Sequence, residues 1–172
     1  DFQDFEIIMS DDSTDDRVLE LIKKHRIPKE KIRYYKNSPS LGAPENWNFA
    51  IEKSQGSYIK IMHHDDYFTS KESLSELVDI LEKSPEVDFA FCAAEVHDLN
   101  YDIKRLHYCP RWRLELLKGF PESLFLGNII GSPSATIFRK HAYVPFDGRY
   151  KWVVDFDCYI KILKKNPIFS YT

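Results

Sequence analysis

The sequence contains no apolar run approaching the ~18–20 residues that a membrane-spanning helix requires, and no signal-peptide pattern is visible. Its three cysteines, Cys92, Cys109 and Cys158, are odd in number, widely spaced and free of any C-x-x-C pair. That set argues against a disulfide framework or a structural zinc site and suits a reducing, cytoplasmic setting. Positive charge is not in excess either. The chain has 24 Lys and Arg against 27 Asp and Glu, a net charge of −3, which disfavours sequence-independent binding to nucleic acid. There is no initiating methionine, internal repeat, low-complexity tract or clear linker. Most pointedly, residues 1–16 hold Asp1, Asp4, Glu6, Asp11, Asp12, Asp15 and Asp16 and not one Lys or Arg.

What is present suffices for a core. The 172 residues are 43% hydrophobic, and 12 Phe and 10 Tyr bring the aromatic share to 15%. This length and composition fit one domain that folds without a staple. Phe5 to Met9 is a short apolar run, read as a strand buried on both faces. Val18, Leu19 and Ile22 mark an amphipathic helix ending near His25, with Pro28 as its stop. Ile32 to Tyr35 is a second strand, and the loop from Asn37 to Pro44 is rich in turn formers. Trp47, Ala50, Ile51 and Ser54 follow helical spacing, with Gly56 placed as a C-terminal cap. Tyr58 to Met62 is a third strand, Ser70 caps a third helix, and Asp88 to Ala94 is a fourth strand. This alternation predicts an α/β protein with a mainly parallel sheet flanked by helices. After residue 95 the rhythm breaks. Tyr101 to Tyr108 reads as an antiparallel excursion, Ser134 to Phe138 as a strand, the Phe156–Leu163 stretch as a last helix, and Ile168 to Tyr171 as a short strand.

Ligands of open α/β sheets bind beyond the carboxyl ends of the strands. Two aspartate pairs fall there, Asp11–Asp12 after the first strand and Asp65–Asp66 after the third, while Asp155 and Asp157 open the last helix. Clustered carboxylates repel unless a cation offsets them. A hard divalent ion such as Mg²⁺ or Mn²⁺ takes oxygen ligands and usually shares them with substrate phosphates, so the pattern suggests the handling of a diphosphate. Plainer readings stand beside this one. Ser13-Thr14-Asp15-Asp16 has the spacing of a capping box, with Ser13 as N-cap. Asp155 is equally readable as a helix cap. His63 and His64 read as half-buried residues, ligands or anion contacts, and Trp47 reads more readily as core than as a sugar-stacking platform.

Three ordered blocks resemble family 2 glycosyltransferases of the GT-A fold. Phe5-Glu6-Ile7-Ile8-Met9-Ser10-Asp11-Asp12-Ser13-Thr14-Asp15 is similar to the family's opening signature. Leu41-Gly42, Asn46-Trp47-Asn48, Ala50, Gly56 and Tyr58-Ile59 lead to Asp65-Asp66 as in its metal-motif block. Gly131-Ser132-Pro133-Ser134 through Arg139, followed by Asp155-Phe156-Asp157-Cys158-Tyr159-Ile160-Lys161, resembles its closing helix block. The resemblance implies a Rossmann-like nucleotide-diphospho-sugar transferase fold, incomplete here because the family's first strand and helix, roughly 25–30 residues, are not matched. Residues 1–172 are then one partial catalytic domain, with 1–94 its nucleotide-binding half and 95–172 a truncated acceptor-side half.

By the same resemblance Asp12 recognises the nucleotide base with Asp11 beside it, and His63 and His64 lie on the nucleotide side. Asp65 and Asp66 hold Mg²⁺ or Mn²⁺, and Asp155 is the general base of an inverting transfer. His63 stands where the family often has Asp, and Lys161 where Arg is usual, a change that removes a bidentate fork. The partners implied are a nucleotide-sugar donor and a sugar or lipid-linked acceptor, in cell-surface polysaccharide or glycolipid synthesis at the cytoplasmic face of the membrane, with peripheral membrane attachment. Two alternatives remain. One is an inactive truncated module that binds nucleotide or self-associates through an exposed sheet edge. The other is a receiver-like phosphoryl-transfer domain, disfavoured by the lack of regular strand–helix continuation after Ala94.

Overall fold

The structure, a computed structural model, describes residues 2–25 and 28–172; Asp1 of the acidic opening stretch lies outside them. The chain divides into two compact units, each built from separated stretches. The first to begin comprises Phe2–Gly56 with Pro145–Val154, and the other comprises Ser57–Val144 with Asp155–Thr172.

In the unit that opens the chain, β1 (Ile7–Asp11) pairs in parallel with β2 (Ile32–Lys36), from Ile7 opposite Ile32 to Asp11 opposite Lys36. The crossover carries α1 (Arg17–Lys24), as a parallel pair demands. Helix α2 (Ala43–Lys53) packs on this pair, with Phe49 edge-on to Tyr35 at 5.5 Å. Pro44 occupies its first turn, where a missing N–H costs nothing. Asn48 grips the later stretch of the unit at two points: its Nδ2 donates to the Phe146 carbonyl at 2.9 Å and its Oδ1 accepts from the Phe146 N–H at 2.8 Å. Trp47 lies edge-on to Phe146 at 5.1 Å, as a packing residue.

Three local expectations are corrected. Along β1 only Asp11 is fully buried, and Ile7 to Ser10 are half-buried, because the strand has one partner among the described residues instead of two. The capping box does not form. Helix α1 starts at Arg17 with Asp16 as N-cap and no side-chain cap, because the Ser13 hydroxyl is spent on Asp11 Oδ1 at 2.6 Å. Nor is Gly56 a cap. Helix α2 ends at Lys53 and Ser54 closes it, donating its hydroxyl to the Ile51 carbonyl at 2.6 Å.

The other unit is organised on a four-stranded sheet in the order β3 (Tyr58–Ile59), β7 (Thr136–Arg139), β4 (Phe89–Phe91), β8 (Phe169–Tyr171). Strands β3, β4 and β8 share one direction and β7 runs against them. All three residues of β4 are fully buried. Phe89 meets Tyr159 of α5 (Val154–Lys165) at 5.3 Å between rings, and Phe91 meets Phe169 and Tyr171 of β8. Helix α3 (Ser73–Lys83) buries Leu77, Val78 and Leu81. It begins three residues after Ser70, whose hydroxyl accepts from the Glu72 N–H instead of capping the helix itself. Arg139 of β7 donates to the carbonyls of Leu81 (2.6 Å) and Val87 (2.9 Å), placing a cation at the negative end of α3.

The antiparallel excursion is a hairpin of β5 (Ala94–Asp98) and β6 (Ile103–His107). It is followed by α4 (Arg111–Gly119), which periodicity does not reveal. Arg113 of α4 is buried and donates to the carbonyls of Ser123 (2.9 Å) and Gly127 (3.0 Å), closing the 3₁₀ segment Pro121–Leu126. All three cysteines are free thiols, and burial pushes that of Cys158 up to about 12. No helix among the described residues is long and apolar enough to cross a membrane.

Candidate functional site

The two aspartate pairs fall in different units. In the unit of β1, Asp11 ends the strand, 7% exposed, facing a converging set of donors. The Ser13 hydroxyl and N–H donate to its Oδ1 at 2.6 and 2.8 Å, and Tyr34 Oη and Lys36 Nζ donate to its Oδ2 at 2.7 and 3.2 Å. Burial opposes this charge, yet the hydrogen bonds from Ser13, Tyr34 and Lys36 outweigh it and hold the carboxyl at about 2. Asp12, the next residue, reaches the turn-rich loop. Its Oδ1 accepts from Asn37 Nδ2 at 2.7 Å. Its Oδ2 accepts from Ser40 Oγ, Leu41 N–H and Gly42 N–H at 3.0, 3.1 and 2.8 Å. Burial again raises and these bonds more than offset it, so Asp12 stays ionised below the usual carboxylate range. Gly42 adopts φ +82°, a left-handed conformation that aims its N–H at the carboxylate and that glycine takes without strain. Asp12 thus anchors the loop while, among the described residues, Oδ1 accepts one bond only, leaving it room to take a ligand N–H.

In the unit of β3, the chain leaves the strand at Ile59 and turns over residues 63–66, closed by Asp66 N–H to the His63 carbonyl at 3.2 Å. His63, Asp65 and Asp66 each offer a ligand atom, all within 4.8 Å of one another. His63 is half-buried and both carboxylates are exposed. Two carboxylates and one imidazole form a hard-to-borderline donor set, which suits Mn²⁺ at least as well as Mg²⁺. His64 is exposed and stands outside this cluster. The structure therefore groups His63 with the carboxylates, in keeping with the ligand alternative among its sequence readings.

Asp155 lies in the first turn of α5 in the same unit. Burial pushes its carboxyl above the usual value, against hydrogen bonds from its own N–H and that of Phe156 and the electrostatic pull of His63. It is thus both a helix-terminal acceptor and a carboxylate of enhanced basicity. Two residues on, Asp157 accepts from Lys161 at 2.6 Å, so the lysine that replaces the usual arginine is held on its own helix.

Residues that the motifs left without a role surround the turn. Ser134 Oγ accepts from the His63 N–H at 2.9 Å, Ser132 Oγ donates to Asp66 Oδ2 at 3.4 Å, and Lys60 donates to the Ser134 carbonyl. Glu6 is another. It binds Arg33 and the N–H groups of Gln55 and Gly56, tying the start of β1 to the end of α2. Glu6, Ser132 and Ser134 stand inside the three motif blocks, which fix neighbours but not partners, whereas Lys60 stands outside them and carries no sequence signal.

The model of the family described as glycosyl transferase family 2 matches residues 1–144. An uncharacterised protein of Mycobacterium tuberculosis is 24% identical over 96% of this chain and 54% of its own length. An uncharacterised glycosyltransferase of Methanocaldococcus jannaschii is 23% identical over 95% of this chain and 56% of its own. An uncharacterised glycosyltransferase of Haemophilus influenzae is 25% identical over 58% of this chain and 41% of its own. The crystal structure of Staphylococcus aureus TarS, residues 1–349, superposes on all of this chain and half of that one, with a TM-score of 0.69 at 19% identity. The chain belongs to glycosyltransferase family 2 and has the GT-A fold. It spans about half the length of the curated relatives it matches.

Proposed function

We propose that this chain is the donor-binding and catalytic part of an inverting, cation-dependent glycosyltransferase that moves a sugar from a nucleoside diphosphate to an acceptor hydroxyl. The observation that carries the reading is one unit holding both the His63–Asp65–Asp66 donor set and a carboxylate, Asp155, whose basicity burial has raised. His63, Asp65 and Asp66 would hold Mg²⁺ or Mn²⁺, which when bound offsets the charge that develops on a departing diphosphate. Asp12 offers Oδ1 to an N–H of the nucleotide base, and Asp11 fixes the end of β1 beneath it. Asp155 accepts the proton of the acceptor hydroxyl as that oxygen bonds to the anomeric carbon. The bond from that carbon to the phosphate oxygen breaks, its electron pair leaves with the nucleoside diphosphate, and the configuration inverts.

The acceptor we infer is a sugar or a lipid-linked sugar of cell-surface polysaccharide or glycolipid synthesis, met at the cytoplasmic face of a membrane. The exposed Tyr101, Ile103, Leu106, Tyr108 and Trp112 beside exposed Lys104, Arg105 and Arg111 support peripheral attachment there. Calorimetric titration of the full-length protein with UDP-, GDP- and dTDP-sugars, with and without Mn²⁺, tests the donor half. One donor is expected to bind in a Mn²⁺-dependent manner and to be transferred with inversion seen by NMR. The competing reading is a nucleotide-binding or interaction module, favoured by the one-sided pairing of β1. Binding without transfer or donor hydrolysis, together with dimers in light scattering, would establish it instead.

A further inference from the structure

The segment Gly131–Ala135 has no place in the chemistry above, yet it meets the turn at residues 63–66 from two directions. Through side chains, Ser134 Oγ accepts the His63 N–H at 2.9 Å and Ser132 Oγ donates to Asp66 Oδ2 at 3.4 Å. Through the main chain, the Ser134 carbonyl accepts from Lys60 Nζ, which also donates to the Ile61 carbonyl at 3.2 Å. Gly131 opens the segment at φ +95°, a backbone conformation that glycine takes without strain. The Lys60 ammonium is desolvated, and burial draws it down to about 8 although Cys92 and Asp66 pull the other way. Burying an ammonium is costly, and it is retained here on the carbonyls of two chain segments and 5.7 Å from the Phe68 ring.

We propose that Lys60 and Ser134 are positioning residues that hold the His63–Asp66 turn in its ligating arrangement before a cation or donor arrives. Lys60 does so through the carbonyls of Ile61 and Ser134, without touching substrate. The proposal rests on the cation-site reading and deepens it. It predicts a sign. As a mere neighbouring positive charge, Lys60 would weaken cation binding, and Lys60→Met would tighten it. As a brace, the same substitution strands two carbonyls and loosens the turn, so binding weakens.

The experiment is a titration of MnCl₂ alone into the full chain by calorimetry, with free Mn²⁺ followed by electron paramagnetic resonance. It compares wild type, Lys60→Met, Lys60→Arg and Ser134→Ala, with the melting temperature of each measured without cation. Lys60→Met is expected to bind Mn²⁺ roughly tenfold or more weakly, the scale seen when groups that orient metal ligands are lost. Lys60→Arg should recover most of that affinity, and Ser134→Ala should lie between. Equal or tighter binding by Lys60→Met overturns the proposal, as does a lower melting temperature with unchanged affinity. If Lys60→Met does not fold, Ser134→Ala decides, because it leaves the Lys60 contact to the main chain intact. Saturable binding by wild type, lost in Asp65→Asn, separates the proposal from the cation site itself. Without such binding both fall, whereas failure confined to the Lys60 and Ser134 variants overturns the brace alone.

Discussion

Asp155 and Asp11 show how environment divides labour among carboxylates. Burial raises Asp155, so the folded state favours its neutral form and bears a cost once pH exceeds the raised value. Asp155→Asn removes that cost. Transfer activity should fall by about 10²–10⁴, while thermal unfolding at pH 7 should show unchanged or higher stability. In the wild-type protein, transfer should decline on acidification at a higher pH than an ordinary aspartate would give, as a pH–rate profile would show. Asp11 behaves oppositely. Its folded value of about 2 lies below the ordinary 3.8, so its stabilisation is complete above about pH 4 and disappears as pH falls towards 2. Asp11→Asn should cost on the order of 2 kcal/mol at pH 7 and almost nothing near pH 2, measured by urea unfolding at both. Asp11 is therefore a structural acid next to the carboxylate proposed to meet the nucleotide base, a division that the bare Asp-Asp pair does not reveal.

At the scale of elements, the chain enters α5 through Val153 at φ +59°, a left-handed conformation that a β-branched residue adopts only under strain. That strain immediately precedes the helix bearing Asp155, where stored backbone energy is commonly retained for function. Val153 is 39% exposed, so replacing it sacrifices little packing. Val153→Asn should stabilise by about 1 kcal/mol and raise the melting temperature by roughly 2–4 °C, read by calorimetry. Legibility also varies by element. The strands before Asp11 and Asp65 and the helices with regular Leu, Ile and Val spacing stand out in the sequence, because period and turn residues are local signals. Helix α4 does not, because buried Arg113 occupies a position on its inner face and disguises the apolar stripe. The direction of β7 is silent for another reason. Periodicity reports which face of a strand is buried, never which way the strand runs. Of the candidate cation ligands, Asp65 and Asp66 were legible as residue types, whereas the contacts from residues 132 and 134 are tertiary ones some 70 residues away in sequence.

For the whole molecule, the discontinuity of both units matters more than any single contact. The opening unit closes only when Asn48 meets Phe146, 98 residues on. In the other, β4 finds its neighbours in β7 and β8, the latter pairing Phe89 with Phe169. Such non-local pairing is entropically slow to form, so refolding should be slow for a chain of this size. Stopped-flow fluorescence of Trp47, which packs on Phe146, would report it.

The burial of β4 has a further meaning during biosynthesis. Phe89, Ala90 and Phe91 leave the ribosome long before either strand that will flank them, so while translation continues they are an apolar segment with unpaired amides. Nascent chains arrested after Arg139 but before Phe169 should remain protease-sensitive at this segment and recruit chaperones. Chains arrested once Tyr171 has emerged should resist digestion.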